Sequence, residues 1–368
     1  MATRGLALRA RQPWVDLDIY LQSLREFQAT GHLYCASACT ELGFTYPPVA
    51  GLLLLPLANL PDVVVRTGWT VATIATALAT GWWVLGRVGV PVNSRRFLLA
   101  ALLFSEPVWM TVGQGQLSVF VGAVALLGYA SLRPRWGGVA LAGAAALKIT
   151  PALAGVVLLA ERGPSRWWRL GSAAAAGLTF LALGLLLGVD NTAVYFGEVL
   201  WDTHRVGALD SWSNSSVMGL LAHWVLPGQV VQAGGLVAGV LVVGALVMAA
   251  RGMPSHDPSA RAWLALAIAL GSYLVTPIAW THHCFAAPLA AAALWAAGWR
   301  VLGGVSMLVW ALPMMGIAIE HADHLGTAMV QSLRPLTLMA LFVAALVQAR
   351  HQPGGRVTPG VDSVQSRS

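Results

Sequence analysis

The sequence predicts an all-α membrane protein whose chain crosses the bilayer many times. Of its 368 residues, 57% are apolar and 10% are charged, whereas a soluble domain carries about 25% charged residues. Long apolar runs rich in Leu, Ala, Val and Gly suit spanning helices of roughly 20 residues, not the short alternating segments of a barrel. A helix also satisfies its own backbone hydrogen bonds, which the hydrocarbon core requires.

Eleven apolar segments are candidates for spanning helices. Several are shorter than a full span, which is tolerated where a helix ends inside a protein-lined cavity. Two further runs, 47–60 and 216–227, are predicted to be re-entrant or interfacial, the first because prolines interrupt it. The eleven segments are 67–86, 97–112, 117–131, 136–147, 149–160, 169–189, 229–250, 262–277, 284–297, 302–319 and 334–349.

Charge is divided unevenly between the loops that join these segments. One set of loops carries 14 arginines against three acids, and the other carries 11 acids against eight basic residues. Cytoplasmic loops are enriched in Lys and Arg, so the arginine-rich set is predicted to be cytoplasmic. The acidic set, which includes a first loop at 1–46 and a long loop at 190–228, is predicted to be extracytoplasmic. This asymmetry accounts for the net charge of +7 without a nucleic-acid partner.

The predicted organisation is one transmembrane domain, 1–350, followed by a disordered cytoplasmic tail, 351–368. Eleven crossings with the C-terminus inside place the N-terminus outside, although residues 1–13 contain no apolar signal and carry arginines. We therefore expect a further helix upstream of Met1. Cys35 and Cys39 share an outer loop, where a disulfide and two free thiols are both compatible with the pattern.

Polar residues gather at the outer ends of the segments, and charge at membrane depth usually marks a functional cavity. Asp16, in a Val-Asp-Leu-Asp run, is a candidate general base, or else a solvated acid or helix cap. Tyr46 precedes a double proline that either borders a cavity or ends a loop. Gln114 and Gln116 alternate with glycines; their amides suit sugar hydroxyls, or they end a helix.

Lys148 is the one lysine of the chain and interrupts a long apolar stretch. Such a lysine is costly unless it meets an anion, for which phosphate is the natural match, or unless it snorkels to the surface. His282 and His283 follow Trp280 at the outer end of a helix. Adjacent residues point to different faces, so one histidine can reach a cavity while the other packs. Nothing in the spacing demands a metal.

The long outer loop adds further candidates. Arg205 could bind phosphate, Trp212 could stack on a sugar ring, and Asn214 begins an Asn-Ser-Ser run. The alternative for all three is a solvated loop, and the Asn-Ser-Ser run also matches the frequent N-glycosylation pattern.

Taken in order, these motifs resemble glycosyltransferase family 87. The resemblance is carried by Val-Asp-Leu-x-x-Tyr at Asp16, Phe-Thr-Tyr-Pro-Pro at Tyr46, and Gly-Gln at Gln114 and Gln116. It continues with Lys-x-Thr-Pro-Ala at Lys148, Arg-Val-Gly at Arg205, Asn-x-Ser at Asn214 and Trp-Thr-His-His at 280–283. Two departures from the family pattern, Ser215 for Gln and Ser118 for Asn, bear on the acceptor and the sugar more than on the chemistry.

The resemblance implies a GT-C-type bundle of about 12 helices, about 11 of them here, in a bacterial plasma membrane with the active site extracytoplasmic. It implies an inverting transfer of mannose from a polyprenyl phosphate to a glycolipid or glycan hydroxyl. Asp16 would be the catalytic base, while Lys148, Arg205, His282 and His283 would bind the donor phosphate. The substrate-binding candidates are Tyr46, Gln114, Gln116, Trp212, Asn214 and Trp280.

Three other functions are also compatible with the sequence. Arabinofuranosyl transfer from the same kind of donor is the alternative enzyme. A lipid-linked glycan transporter or flippase also has many helices and buried polar residues, but no internal repeat of the transporter kind is visible. A catalytically dead family member that binds lipid-linked glycans is the third. We expect no cofactor, no metal and no nucleic acid, with membrane lipids as the remaining partners.

Overall fold

The computed structural model describes residues 13–34, 43–202, 207–252, 257–313 and 324–350, and these residues form helices and no strands. The helices of the first half are α1 Val15–Thr30, α2 Pro48–Leu54, α3 Asp62–Arg87, α4 Val92–Leu103, α5 Glu106–Gln114, α6 Ser118–Ala130, α7 Pro134–Leu147 and α8 Leu153–Ala160. Those of the second half are α9 Ser165–Gly184, α10 Val189–Val194, α11 Val217–His223, α12 Gly228–Gly252, α13 Pro258–Val275, α14 Ala286–Ala296, α15 Arg300–Ala311 and α16 His324–Arg350.

Short irregular turns extend or join several of these helices. Four are 3₁₀ turns and one is a π turn, and they mark places where the helical path changes direction. They are Leu55–Asn59, Thr150–Ala152, Leu185–Leu187, Thr281–His283 and, as the π turn, Tyr195–Val199.

The all-α prediction is confirmed for the described residues, and within them each of the eleven predicted segments coincides with one helix or with a helix pair. Residues 314–319 of the segment 302–319 lie outside the described residues. The count of eleven crossings is not confirmed. Within the described residues, five helices are long and apolar enough to cross a membrane, or six if the pair α4 and α5, bent by 52°, forms one span. Other apolar helices, such as α14, are too short to cross alone. The predicted first loop contains α1, and the loop at 190–228 contains short helices.

The core is built around α13 and α14, which are buried on nearly all sides. Between helices in lipid, stability comes from close packing, which small residues permit. Gly303 of α15 illustrates this, since a Cβ there would lie 2.6 Å from the Trp295 backbone nitrogen and 2.7 Å from the Ala291 carbonyl oxygen. Large side chains such as Trp263 and Phe285 fill the remaining core volume.

A second, smaller core lies under α1. Leu17, Tyr20 and Leu24 form its buried face and pack against the Phe44–Tyr46 segment and α2. The spacing of these side chains places them on one side of the helix, while charged residues such as Asp18 lie on the other. This packing fixes α1 over the ends of α5, α6 and α7, where the polar candidates of the sequence meet.

Candidate functional site

The start of α1 is held against the turn between α5 and α6. The Trp14 backbone N–H donates to the Gly113 carbonyl at 2.7 Å, and Trp14 adopts a left-handed φ of 69°. Gly115 has φ 72°, and a Cβ there would lie 2.4 Å from the Leu17 Cβ. A glycine is therefore required on two grounds, its conformation and the close approach of α1. The result is that Asp16 lies directly beside this turn.

Gln116 organises the polar groups around Asp16. Its side-chain oxygen accepts hydrogen bonds from the hydroxyls of Tyr46 at 2.8 Å and Tyr20 at 3.1 Å. The two hydroxyls are themselves 2.9 Å apart. Because the amide oxygen is used in this way, the amide nitrogen remains to donate to the Asp16 carboxylate, with which Gln116 also interacts.

Lys148 brings a positive charge to the same place. Helix α7 ends at Leu147, and Lys148 takes an extended conformation before the Pro151 turn begins. Its ammonium nitrogen lies 2.6 Å from Nε2 of His283 and 5.6 Å from the centre of the Tyr46 ring. An ammonium over an aromatic face is favourable, and its charge also acts on Asp16.

Burial brings the pKa values of both Asp16 and Lys148 closer to neutral pH. Burial raises the pKa of Asp16 from 3.8 to about 6, although the hydrogen bond from Gln116 and the charge of Lys148 oppose the rise. Burial lowers the pKa of Lys148 from 10.5 to about 8, against the attraction of Asp16. A carboxylate of this pKa is ionised at neutral pH and still basic enough to accept a proton in a transfer step.

The two histidines occupy different positions in the 3₁₀ turn Thr281–His283. His283 is paired with Lys148 and borders a small cavity of about 60 Å³ together with it. His282 is 6% exposed, its ring stacks on Trp280 at 6.4 Å, and neither ring nitrogen has a hydrogen-bond partner among the described residues. Its carbonyl accepts a hydrogen bond from the Thr111 hydroxyl at 3.2 Å, which joins the turn to α5.

An apolar cavity of about 330 Å³ adjoins this centre. It lies between α2, α7, α8 and α9 and ends at the residues that flank the polar groups. Pro47 and Pro48 follow Tyr46, while Ile149 and Pro151 lie on either side of the segment that carries Lys148. The site therefore combines a carboxylate, an ammonium and neutral hydrogen-bonding groups with a long apolar neighbour, which suits an amphiphilic ligand.

A family model described as glycosyltransferase family 87 matches residues 44–277 of the chain. The chain belongs to glycosyltransferase family 87. Asp16 lies before the matched span, and the two histidines lie a few residues after it.

Curated family members resemble most of the chain. A "Polyprenol-phosphate-mannose-dependent alpha-(1-2)-phosphatidylinositol pentamannoside mannosyltransferase" of Mycobacterium tuberculosis (strain CDC 1551 / Oshkosh) is 30% identical over 73% of this chain and 63% of its own length. Its namesake in Mycolicibacterium smegmatis is 28% identical over 73% of the chain and 66% of its own length. A second M. smegmatis protein, an "alpha-(1-2)-phosphatidylinositol mannoside mannosyltransferase" with the same donor in its name, is 28% identical over 76% of the chain and 69% of its own length.

The chain thus spans slightly less than two thirds of the length of the first two relatives. No solved structure matches it.

Within this family 87 chain, the structure brings together five of the predicted site residues: Asp16, Tyr46, Gln116, Lys148 and His283. Gln114 lies one turn away, and its side-chain oxygen is buried without a hydrogen-bond partner in the described part of the chain. Trp280 and Trp212 are half-buried, with Trp280 stacked on His282. Arg205 lies outside the described residues, as do Cys35 and Cys39.

Asn214 has a different environment from the rest. Its amide nitrogen donates to the carbonyls of Leu209 and Pro277, and its amide oxygen accepts from the backbone N–H groups of Ser216 and Ala279. The side chain is 1% exposed. Asn214 thus joins the outer loop to the segment that precedes the histidine turn. Both its amide nitrogen and its amide oxygen form hydrogen bonds with backbone groups.

Sequence reasoning missed two features of the site. Tyr20 ends the Val-Asp-Leu-x-x-Tyr motif, but the sequence analysis gave it no role in the site; its spacing of four residues from Asp16, which places both on one face of a helix, is the signal that could have found it. The pair of Glu106 and Arg334 was also missed. Both side chains are almost fully buried, and they form an ion pair beneath the histidine turn.

Proposed function

We propose that this chain is an inverting glycosyltransferase that moves a mannosyl residue from a polyprenyl-phosphate donor to a hydroxyl of a membrane glycolipid. One observation carries the proposal: a half-buried carboxylate, Asp16, faces an ammonium, Lys148, at one end of an apolar cavity. A base and a phosphate-binding cation are what sugar transfer from a phosphorylated lipid requires.

The reaction is a single displacement at the anomeric carbon. Asp16 accepts the proton of the acceptor hydroxyl as the hydroxyl oxygen attacks that carbon. The bond between the anomeric carbon and the phosphate oxygen breaks, and its electron pair leaves with the polyprenyl phosphate. Lys148 balances the negative charge that grows on the departing phosphate, and a β-linked donor gives an α-linked product.

Neutral groups around the centre orient the base. Gln116 donates to the Asp16 carboxylate and is itself fixed by the Tyr20 and Tyr46 hydroxyls. A carboxylate held in this way needs little reorganisation free energy at the moment of proton transfer. His283 keeps the Lys148 ammonium in place at 2.6 Å.

The donor is proposed to be lipid-linked because of the cavity beside Lys148. Its walls are supplied by apolar residues such as Ile149, Phe180 and Phe196, and it lies among helices suited to a membrane. A phosphate at Lys148 would leave its isoprenoid chain in this cavity. The named family members use polyprenol-phosphate-mannose, which supports the same donor.

The acceptor is proposed to be a glycolipid of the phosphatidylinositol mannoside class, as in the names of the relatives. The site residues follow the ends of α7 and α13, whereas arginines lie at the opposite ends of these two helices, with Arg133 before α7 and Arg261 in the first turn of α13. This distribution supports, by the positive-inside rule, our proposal that the reaction takes place on the extracytoplasmic side of a bacterial plasma membrane.

The test is sugar transfer in membranes that contain the full chain, with labelled polyprenyl-phosphate-mannose and phosphatidylinositol mannosides. Wild type is compared with Asp16→Asn and with Asp18→Asn as a matched control. Asp18 is on the same helix but pairs with Arg66 at 2.8 Å and is 45% exposed. We expect Asp16→Asn to lose about 10²- to 10⁴-fold in rate, and the control to retain the wild-type rate.

Each outcome of that assay has a meaning. Transfer unchanged in Asp16→Asn would remove Asp16 from its role as base. Transfer by wild type only from a polyprenyl-phosphate-arabinose donor would replace mannose by arabinofuranose. If the protein transfers neither sugar but moves labelled lipid-linked glycans across vesicles, it is a transporter and the proposal fails.

A further inference from the structure

A buried guanidinium links three segments beneath the site. Arg334 lies inside α16, directly before Pro335, and is 4% exposed. Its terminal nitrogens donate to the Thr281 hydroxyl at 2.6 Å, to the Leu312 carbonyl at 3.0 Å and to the Glu106 carboxylate. Its guanidinium also lies 5.4 Å from the centre of the Trp310 ring.

The three segments held by Arg334 include both sides of the proposed active site. Thr281 is the first residue of the turn that carries the two histidines. Glu106 is the first residue of α5, whose other end supplies the Gly113 carbonyl that holds Trp14. A second bond, from the Thr111 hydroxyl to the His282 carbonyl, fixes α5 to the same turn halfway along.

The base and the phosphate-binding cation are therefore positioned through one connected structure. Asp16 is placed by contacts with the end of α5, and Lys148 is held by His283 in the turn. Helix α5 and the turn keep their relative position through Glu106, Arg334 and Thr281. We propose that Glu106 and Arg334 are positioning residues that set the distance between the Asp16 carboxylate and the Lys148–His283 pair.

This inference rests on the proposed function, and the physical chemistry of the pair favours it over a passive structural role. Charges inside a membrane protein are costly, so they are usually retained for function. A planar guanidinium has donors in a fixed fork and can hold several acceptors in one geometry, which a neutral side chain of equal size cannot do. Removing one partner would leave the other charge buried and unpaired.

The variant that tests the proposal therefore removes both charges at once. Glu106→Gln combined with Arg334→Met keeps the side-chain volumes and leaves no unpaired charge. Thr281→Val is a milder variant that removes only the hydroxyl joined to Arg334. Arg261→Met is the matched control: Arg261 is also a buried arginine paired with a glutamate, Glu161 at 3.1 Å, and Arg169 remains within 3.9 Å of that glutamate. It lies in the first turn of α13, roughly 20 Å along the helix from the end that leads to the histidine turn.

The first readout is the kinetics of transfer by full-length protein that elutes as wild type on gel filtration. We expect the double variant to lose 10- to 100-fold in kcat while KM for the donor changes less than threefold, because the donor phosphate still binds Lys148 but the distance from Lys148 to the Asp16 base is no longer fixed. We expect Thr281→Val to lose threefold to tenfold in kcat. We expect Arg261→Met to keep the wild-type kcat.

The second readout does not depend on activity and uses the single lysine of the chain. Acetylation of Lys148 by a small amine-reactive reagent is followed against pH by peptide mass spectrometry, which separates it from the N-terminal amine. If the turn moves, the ammonium loses its acceptor on His283, so the pH midpoint of labelling should fall in the double variant and in Thr281→Val. The control should label with the wild-type midpoint.

The outcomes separate this inference from the proposed function. If wild type transfers no sugar, the proposed function fails, and the labelling midpoints still decide whether the pair positions Lys148. If wild type is active and the folded double variant has wild-type kcat, the positioning role is refuted. A fall in kcat with an unchanged labelling midpoint would also refute it, since the pair would then act by a route that does not involve the histidine turn.

Discussion

Replacing Asp16 by Asn should stabilise the folded protein at neutral pH, although the same change removes the proposed base. The Asp16 pKa is raised from 3.8 to about 6 because burial disfavours the carboxylate. The folded state thus binds the proton more tightly than the unfolded state does. Stability is highest below pH 3.8, falls as the pH rises towards 6, and stays constant above that. Asn resembles the protonated side chain and cannot ionise, so it escapes this loss.

The size of the effect follows from the shift in pKa. About 2 units at 1.36 kcal/mol each give about 3 kcal/mol at pH 7.5 as an upper limit, and the partial exposure of the side chain reduces this to about 1–3 kcal/mol. Roughly half of the gain should remain at pH 5, because the wild-type carboxyl is then largely protonated in the folded state. This free energy already includes the attraction of Lys148, because the charge of Lys148 contributes to the Asp16 pKa from which it is calculated.

The assay is thermal unfolding of purified full-length protein in detergent at pH 7.5 and pH 5, for wild type, Asp16→Asn and Asp18→Asn. We expect a melting temperature several degrees above wild type for Asp16→Asn at pH 7.5 and a smaller difference at pH 5. Asp18 is solvated and paired with Arg66, so its variant should show no gain. The reasoning is refuted if Asp16→Asn melts below wild type at pH 7.5. It is also refuted if the difference in melting temperature from wild type is the same at both pH values, because Asp16 would then not be a destabilised carboxylate.

Two further predictions follow from the same geometry. The rate of transfer should have a bell-shaped pH dependence, falling below about pH 6 as Asp16 is protonated and above about pH 8 as Lys148 loses its charge. Initial rates from pH 5 to 9 measure this dependence. A flat profile would contradict the roles of both residues. Gly115→Ala should lose at least tenfold in rate and melt lower than wild type, because a Cβ at φ 72° would lie 2.4 Å from the Leu17 Cβ and push α1 away. Gly113→Ala is its control, since a Cβ there meets nothing within 4 Å.

The helices were predictable because apolar runs in a membrane chain have few other solutions. Segments such as 229–250 and 262–277 correspond to α12 and α13 with shifts of a few residues at their ends. Which helices cross the bilayer was less predictable, since length decides it and helices such as α14 are short yet wholly buried. Hydropathy alone does not distinguish a buried short helix from a spanning one. The helix α1 was missed because it is only weakly apolar and its buried face includes tyrosine.

The polar members of the site were predictable one at a time. Lys148 and Gln116 stood out because a polar side chain in an apolar run needs a partner, but the identity of that partner depends on how the helices pack. The pairing of Lys148 with His283 joins positions 135 residues apart. The hydrogen bonds between the Asn214 side chain and backbone groups likewise depend on the path of the outer loop, which residue types do not reveal.

The Glu106–Arg334 pair shows where such reasoning can be extended. The two residues are 228 positions apart, and neither belongs to a recognisable motif. Each is nevertheless an ionisable residue within or beside an apolar segment, and in hydrocarbon such residues avoid a large cost only by pairing with an opposite charge or by meeting a ligand. Lys148 and Glu106 have opposite charges, so both could have been assigned to each other from sequence. The structure instead pairs Glu106 with Arg334 and leaves Lys148 beside a histidine and Asp16, an arrangement compatible with the anionic donor that we propose.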